Sequence, residues 1–153
     1  MNNLVKTLII PLVLLVIVFV ACKFEPMTFD DEPEDEPLDF ENIEWVLESF
    51  GEPGNIRLVI EGSAITASFS SATHEVSGSA GCNYYSGDYE ADNSELSIPA
   101  VGNTEMACME PEGVMEQEQQ YLRLLILVES YETDDGQLRI TCSDGSVMVF
   151  AGD

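Results

Sequence analysis

Asp134-Asp-Gly-Gln-Leu-Arg-Ile-Thr-Cys-Ser-Asp-Gly-Ser-Val-Met-Val-Phe-Ala151 decides the fold. Leu138, Ile140 and Cys142 alternate with Arg139 and Thr141, the period of two that marks a half-buried strand. Ser146 to Ala151 is rich in strand formers. Asp134-Asp-Gly136 and Ser143-Asp-Gly145 precede the two runs, and Asp-Gly between such runs is a hairpin signal. The last three runs of the chain therefore predict an antiparallel meander. Further upstream, Ile65, Ala67 and Phe69 alternate with Thr66, Ser68 and Ser70, and Tyr85, Gly87 and Tyr89 with Ser86, Asp88 and Glu90. Glu52-Pro-Gly-Asn55 and Ala91-Asp-Asn-Ser94 read as turns.

One stretch breaks this period. Glu112 to Val128 uses good helix formers, and Met115, Leu122 and Leu125, with Tyr121 and Val128 beside them, recur at three- and four-residue spacing. Pro111 suits a first helical turn, and Glu112, Glu116 and Glu118 favour its positive end. The apolar stripe is expected to cover one side of the sheet. Leu124-Leu-Ile-Leu-Val128 is expected to contain the passage into the next strand. The fold class is α+β, mostly antiparallel, over residues 42–153.

The chain has 153 residues, with 29 Asp and Glu against 5 Lys and Arg, a formal charge of −24. That length suits one domain with appendages. So acidic a chain lacks the cations that grip nucleic acid through its phosphates, or that adhere to anionic lipid. Hydrophobic residues make up 45%, a figure inflated by residues 4–22.

Met1 to Lys6 carries one Lys and is followed by an apolar run, Thr7 to Val20, of 14 residues including Pro11. A membrane-spanning helix needs about 20 apolar residues. A charged start, a short apolar core and a small residue before the cut describe a secretory signal peptide, residues 1–21. Val20-Ala21-Cys22 resembles a bacterial lipobox, in which cleavage precedes the Cys and the Cys carries the lipid. Phe19 stands where Leu is usual. An uncleaved anchor is the alternative, and either route exports the chain. Lys23, rather than Asp, follows the lipidated position, which by resemblance to lipoprotein sorting favours the outer membrane. The expected location is thus the cell envelope, with the membrane held through Cys22.

Residues 23–41 contain nine acids, three Pro and one Lys. Like charges repel and Pro opposes both helix and ladder, so residues 22–41 are expected to be an acidic tether of up to roughly 3 Å per residue. An acidic interaction tail, or an export signal, is the functional alternative.

The order of landmarks resembles the META domain family, which includes the HslJ-type envelope proteins. Its pieces are Trp45-Val-Leu-Glu-Ser49, then Val76-Ser-Gly-Ser-Ala-Gly-Cys-Asn-Tyr-Tyr-Ser-Gly-Asp-Tyr89, then Thr104-Glu-Met-Ala-Cys108. Glu118-Gln-Gln-Tyr121 with Leu125, the hairpin around Leu138 and the Phe150 ending complete the series. The most specific part is Gly81-Cys82-Asn83 followed by Met106-Ala107-Cys108, and the motif positions are Trp45, Gly81, Cys82, Asn83, Gly87, Thr104, Met106 and Cys108. Glu105 departs from the basic residue often seen between the Thr and the Met. The resemblance implies a small curled or barrel-like sheet with one packed helix, often in lipoproteins. It also implies links to stress and antibiotic tolerance, with no established catalysis.

With Cys22 acylated, Cys82, Cys108 and Cys142 remain in an oxidising compartment, and one bridge can be drawn three ways. Cys82 with Cys108 is favoured, because both lie beside Gly- or Pro-containing loops and both belong to the motifs of the resemblance. Cys142 shares a strand face with Leu138 and Ile140 and reads as a small buried apolar residue. Three dispersed Cys and one His lack the close pairing of zinc ligands, so no metal is expected.

Other constellations have plainer explanations. His74 with a nearby Ser could serve a hydrolase, but no nucleophile elbow marks a Ser, and an exposed loop-edge His is the simpler view. Glu110 and Glu112 could act as acid and base, yet acids abound here as solvated surface. Asp134, Asp135 and Asp144 could bind Ca²⁺, though turn formation accounts for them and alternating ligand spacing is absent. Tyr84, Tyr85 and Tyr89 could form a recognition surface, but alternation puts Tyr85 and Tyr89 on one face as core. No phosphate-cradling Gly loop is present. The expected function is a lipid-anchored, non-enzymatic envelope domain without cofactor, which binds an envelope protein or component and supports stress or antibiotic tolerance. A calcium-stabilised binding module and an envelope hydrolase are the alternatives.

Overall fold

A computed structural model describes residues 38–152. The expected signal peptide, Cys22 and the expected tether up to residue 37 lie outside the described residues. The chain runs β1 (Glu44–Glu52), β2 (Asn55–Leu58), β3 (Thr66–Ser70), β4 (Glu75–Ser79), β5 (Tyr84–Asp88), β6 (Glu90–Asp92), β7 (Glu95–Ser97) and β8 (Gly102–Asn103). Helix α1 (Val114–Leu125) follows, then β9 (Val128–Asp134), β10 (Gln137–Cys142) and β11 (Val147–Gly152).

All pairings are antiparallel, in the order β6-β7-β9-β10-β11-β1-β3-β4-β5-β8, with β2 added to β1. β5 and β6 lie near opposite ends of this path, yet only Tyr89 separates them. One residue spans at most about 3.6 Å of extended chain, while neighbouring strands alone stand about 4.8 Å apart. The sheet must therefore curl until its ends approach, and the result is a curled half-barrel with one helix, as the resemblance implied.

The meander is present as expected. β9 pairs β10 through a two-residue turn, Asp135-Gly136, both at positive φ (45° and 78°). That left-handed pair matches the right-handed twist of the strands, which is why Asp-Gly stands there. A bulge in β1 between Leu47 and Ser49 inserts one residue, so Trp45 and Leu47 before it and Phe50 after it all face the interior. Ile65, Ala67 and Phe69 of the β3 region, Leu138 and Ile140 of β10, and Met148 and Phe150 of β11 fill the core with them.

Three boundaries differ from the sequence expectation. The helix begins at Val114 rather than Glu112, because Gly113 holds a left-handed backbone (φ 86°), and it ends at Leu125. Its inward face is Val114, Gln117, Glu118, Tyr121, Leu124 and Leu125, so Glu118 is buried rather than lying at a solvated positive end. Residues 38–41 belong to the domain and not to the tether. Phe40 is fully buried, and the Glu41 side chain accepts from the Leu38 backbone N–H at 2.7 Å and from the Tyr89 hydroxyl. Lastly, Tyr85 to Glu90 divides into β5 and β6, although Tyr85 and Tyr89 are both core as expected.

Candidate functional site

Most of the motif residues of the sequence converge where the chain between β4 and β5 meets α1. Asn83 is 2% exposed and uses its whole amide. Its Oδ1 accepts from Thr104 Oγ1 and from the Met106 backbone N–H, both at 2.7 Å. Its Nδ2 donates to the Met106 carbonyl at 3.1 Å and to Glu118 Oε1 at 2.7 Å. Glu118, 3% exposed, accepts two further bonds at Oε2, from the backbone N–H groups of Asn83 (2.6 Å) and Cys82 (3.2 Å). A buried carboxylate is tolerable only when its oxygens are saturated with donors, and here three donors meet it.

One residue earlier on α1, Gln117 repeats the arrangement toward a different loop. Its Oε1 accepts from the Ile60 N–H at 2.8 Å, and its Nε2 donates to Ser63 Oγ at 2.8 Å. Two adjacent helix residues thus tie the 60–63 loop and the 82–83 loop to one helix. Every buried polar side-chain atom among the described residues has a hydrogen-bond partner.

Covalent closure comes from Cys82 and Cys108, joined across 26 residues with Cα atoms 6.0 Å apart. Of the three possible pairings, this is the bridge that forms. Asn83 and the bridge together clamp the segment from Thr104 to Cys108, which has no regular structure of its own. The clamped segment presents apolar side chains outward: Met106 is 50% exposed and Met109, just beyond it, 88%, while Tyr84, whose backbone bonds Thr104, is 68% exposed. Replacing Cys82 and Cys108 together by Ser is expected to lower unfolding free energy by about 3 kcal/mol, through the freedom restored to the unfolded loop. Urea unfolding checks this, and an unchanged midpoint would contradict it.

The remaining motif positions serve the scaffold. Trp45 is buried and its Nε1–H donates to the Phe40 carbonyl at 2.7 Å. A Cβ on Gly87 would stand 2.3 Å from the Ala100 carbonyl oxygen, so only glycine lets the 98–101 segment cross β5 there. Gly81 sits against α1, with Val114 and Gln117 as its neighbours.

His74 occupies an exposed turn at φ 53°, beside Tyr89 at 6.0 Å between ring centroids. Glu110 and Glu112 are both exposed, as are Asp134, Asp135 and Asp144 in their separate hairpin turns. Among the described residues, no three His, Cys, Asp or Glu side chains gather closely enough to hold a metal ion. Cys142 is buried, and burial with Asp144 nearby pushes its thiol up to about 12. Tyr85 and Tyr121 share a buried hydroxyl contact at 2.7 Å, and burial lifts both phenols above their ordinary range.

Sequence reasoning missed Gln117, Glu118 and Ser63 as parts of the clamp. The only available signal was the Glu118-Gln-Gln-Tyr121 landmark itself. In a chain with 29 acids, nothing local distinguishes a buried Glu from a solvated one.

A family model described as the META domain matches residues 38–153, starting where the structured domain starts. Among solved structures, the NMR structure of a protein from Burkholderia xenovorans aligns with a TM-score of 0.63 at 27% identity, over 74% of this chain and 83% of that one. A second NMR structure aligns at 0.55 with 22% identity, over 72% and 89%. The crystal structure of a DUF4847 family protein from Bacteroides vulgatus aligns at 0.52 with 15% identity, over 74% and 94%, a likeness of fold alone. No curated protein matches the chain.

Proposed function

Because the chain belongs to the META domain family, we propose that it is a lipid-anchored, non-enzymatic binding domain of the bacterial cell envelope. Acyl chains on Cys22 hold it at the outer membrane, and it engages an envelope protein or component in support of stress or antibiotic tolerance. The observation that carries this reading is the Cys82–Cys108 bridge at the centre of the motif cluster. Disulfides persist in oxidising compartments, which agrees with the lipobox-like Val20-Ala21-Cys22. The non-enzymatic part draws on the same cluster. Asn83 and Glu118 spend their polar atoms on the protein itself, and a group committed to the scaffold has nothing to offer a substrate.

Intact mass of the membrane-extracted protein, measured without and then with reductant, tests the address. The expected species starts at Cys22, carries acyl chains and is lighter than its reduced form by the two hydrogens lost in the bridge. A full-length, unacylated chain with free thiols would overturn the reading. Deletion is expected to raise sensitivity to envelope stress or to antibiotics, and His74→Ala is expected to restore function fully when supplied in its place.

A further inference from the structure

Three of the six large apolar side chains left exposed among the described residues belong to one corner of the fold: Tyr84, Met106 and Met109. Backbone bonds bring them there. The Thr104 N–H donates to the Tyr84 carbonyl at 3.0 Å, and the Tyr84 N–H donates to Thr104 Oγ1 at 3.2 Å. Met106 gives its N–H to Asn83 Oδ1 and accepts from Asn83 Nδ2 at its carbonyl. The bridge then ties Cys108, next to Met109, to Cys82. Single apolar residues scattered over a surface need no explanation, but a group of them marks a place of contact.

The backbone beneath the group is fixed before anything binds. Residues 104–108 form neither helix nor strand, yet a disulfide and the saturated amide of Asn83 hold them. A surface already ordered in the free protein loses less freedom on association. The side chains suit the same purpose. Tyr and Met are enriched where proteins meet, and the unbranched thioether of Met adapts to the shape placed against it.

The rim decides what fits. Glu105, Glu110 and Glu112 are exposed on the same stretch of chain, and the sequence holds no Lys or Arg between Arg57 and Arg123. The loops that build this surface therefore bring no cation of their own. Anionic lipid is repelled by such a rim. A second copy in a two-fold contact would set the same carboxylates against each other. The chain's own acidic segment, residues 23–37, carries charge of the wrong sign. The complement of this surface is an apolar side chain flanked by cations.

We propose that the surface formed by Tyr84, Met106 and Met109 docks a basic segment of a partner protein, with an apolar side chain seated on these three and Lys or Arg facing Glu105, Glu110 and Glu112. This rests on the reading of the chain as a binding domain, and it names the place of binding and the chemistry of the partner.

The test uses the full-length chain in uncharged detergent micelles, its methionine methyl groups labelled for NMR, with empty micelles as the blank. The probe is the peptide Lys-Lys-Trp-Lys-Lys. The Met106 and Met109 methyl signals are expected to move on titration, while that of Met148, which is buried, stays in place. Lys-Lys-Ser-Lys-Lys keeps the charge without the anchor, and Glu-Glu-Trp-Glu-Glu keeps the anchor without the charge. Each is expected to bind at least about tenfold more weakly. Met106→Ser combined with Met109→Ser alters only exposed side chains, and is expected to weaken the Trp peptide by about tenfold, read by fluorescence anisotropy. Unmoved Met106 and Met109 signals, equal binding of either control peptide, or full affinity in the double variant would each overturn the proposal. The deletion phenotype is a separate readout, so failure at this surface leaves the broader reading standing.

Discussion

Glu118→Ala is expected to cost about 3–5 kcal/mol, because each buried donor left without an acceptor costs about 1–3 kcal/mol. Three such donors lose their acceptor at once: the backbone N–H groups of Cys82 and Asn83 and the Asn83 side-chain amide. The space left by the carboxylate is enclosed by the helix and the 82–83 loop, so solvent does not readily replace it. Glu118→Gln distinguishes charge from shape. An oxygen can still face the two backbone donors, but its new amide then points a donor at Asn83 Nδ2, and a smaller loss of about 1–3 kcal/mol follows. Urea unfolding of both variants, with the bridge intact, gives the comparison. A Glu118→Ala protein as stable as its parent would show that the clamp contributes nothing.

Phe40→Ala is expected to cost about 3–5 kcal/mol, the range for deleting a buried aromatic. Phe40 is completely enclosed, with the rings of Tyr131 at 4.4 Å, Phe69 at 4.9 Å and Tyr89 at 6.0 Å between centroids. The residue lies at the end of the acidic stretch, so the experiment also locates the boundary of the domain. A loss below about 1 kcal/mol would mean that residues 38–41 lie against the core without being part of it. Thermal or urea unfolding read through the tryptophan suits the purpose, since Trp45 is hydrogen-bonded to the Phe40 carbonyl.

What the sequence made legible was whatever repeats locally. Leu138-Ile140-Cys142 and Ile65-Ala67-Phe69 announce strands because each strand must show alternate faces to core and solvent. Asp135-Gly136 announces its turn because few residue pairs accept that backbone. The passage from helix to strand at residues 124–128 was legible for the same reason. Glu118 was not, because the groups that justify its burial are 35 and 36 residues away, two of them on the backbone and one the Asn83 amide. Phe40 was hidden by composition. Leu38 and Phe40 alternate with Asp39 and Glu41, which is a faint strand-like period, but nine acids in the surrounding stretch masked it. β2 follows a turn that was recognised, Glu52-Pro-Gly-Asn55, yet all four of its residues are exposed, so no alternation marks it. The bulge that leaves Glu129 of β9 without a partner on β10 depends on register between two strands, and register is not written in either strand alone. Within the motif cluster the bridge between Cys82 and Cys108 was anticipated, while the hydrogen bonds that surround it were not.

The pairing of β1 with β11 has a consequence in time. Trp45 faces Gly152 and Gly51 faces Val147, so the middle of the sheet joins stretches of chain about a hundred residues apart. Such distant pairings must pay for closing a long loop before they return anything, and domains dominated by them fold in roughly milliseconds to seconds rather than microseconds. Met148 and Phe150, which fill the interior, also arrive with that last strand. A growing chain therefore cannot close the middle of the sheet before β11 is available. Until then β1 lacks the partner that faces it from Trp45 to Gly51, and the interior lacks Met148 and Phe150.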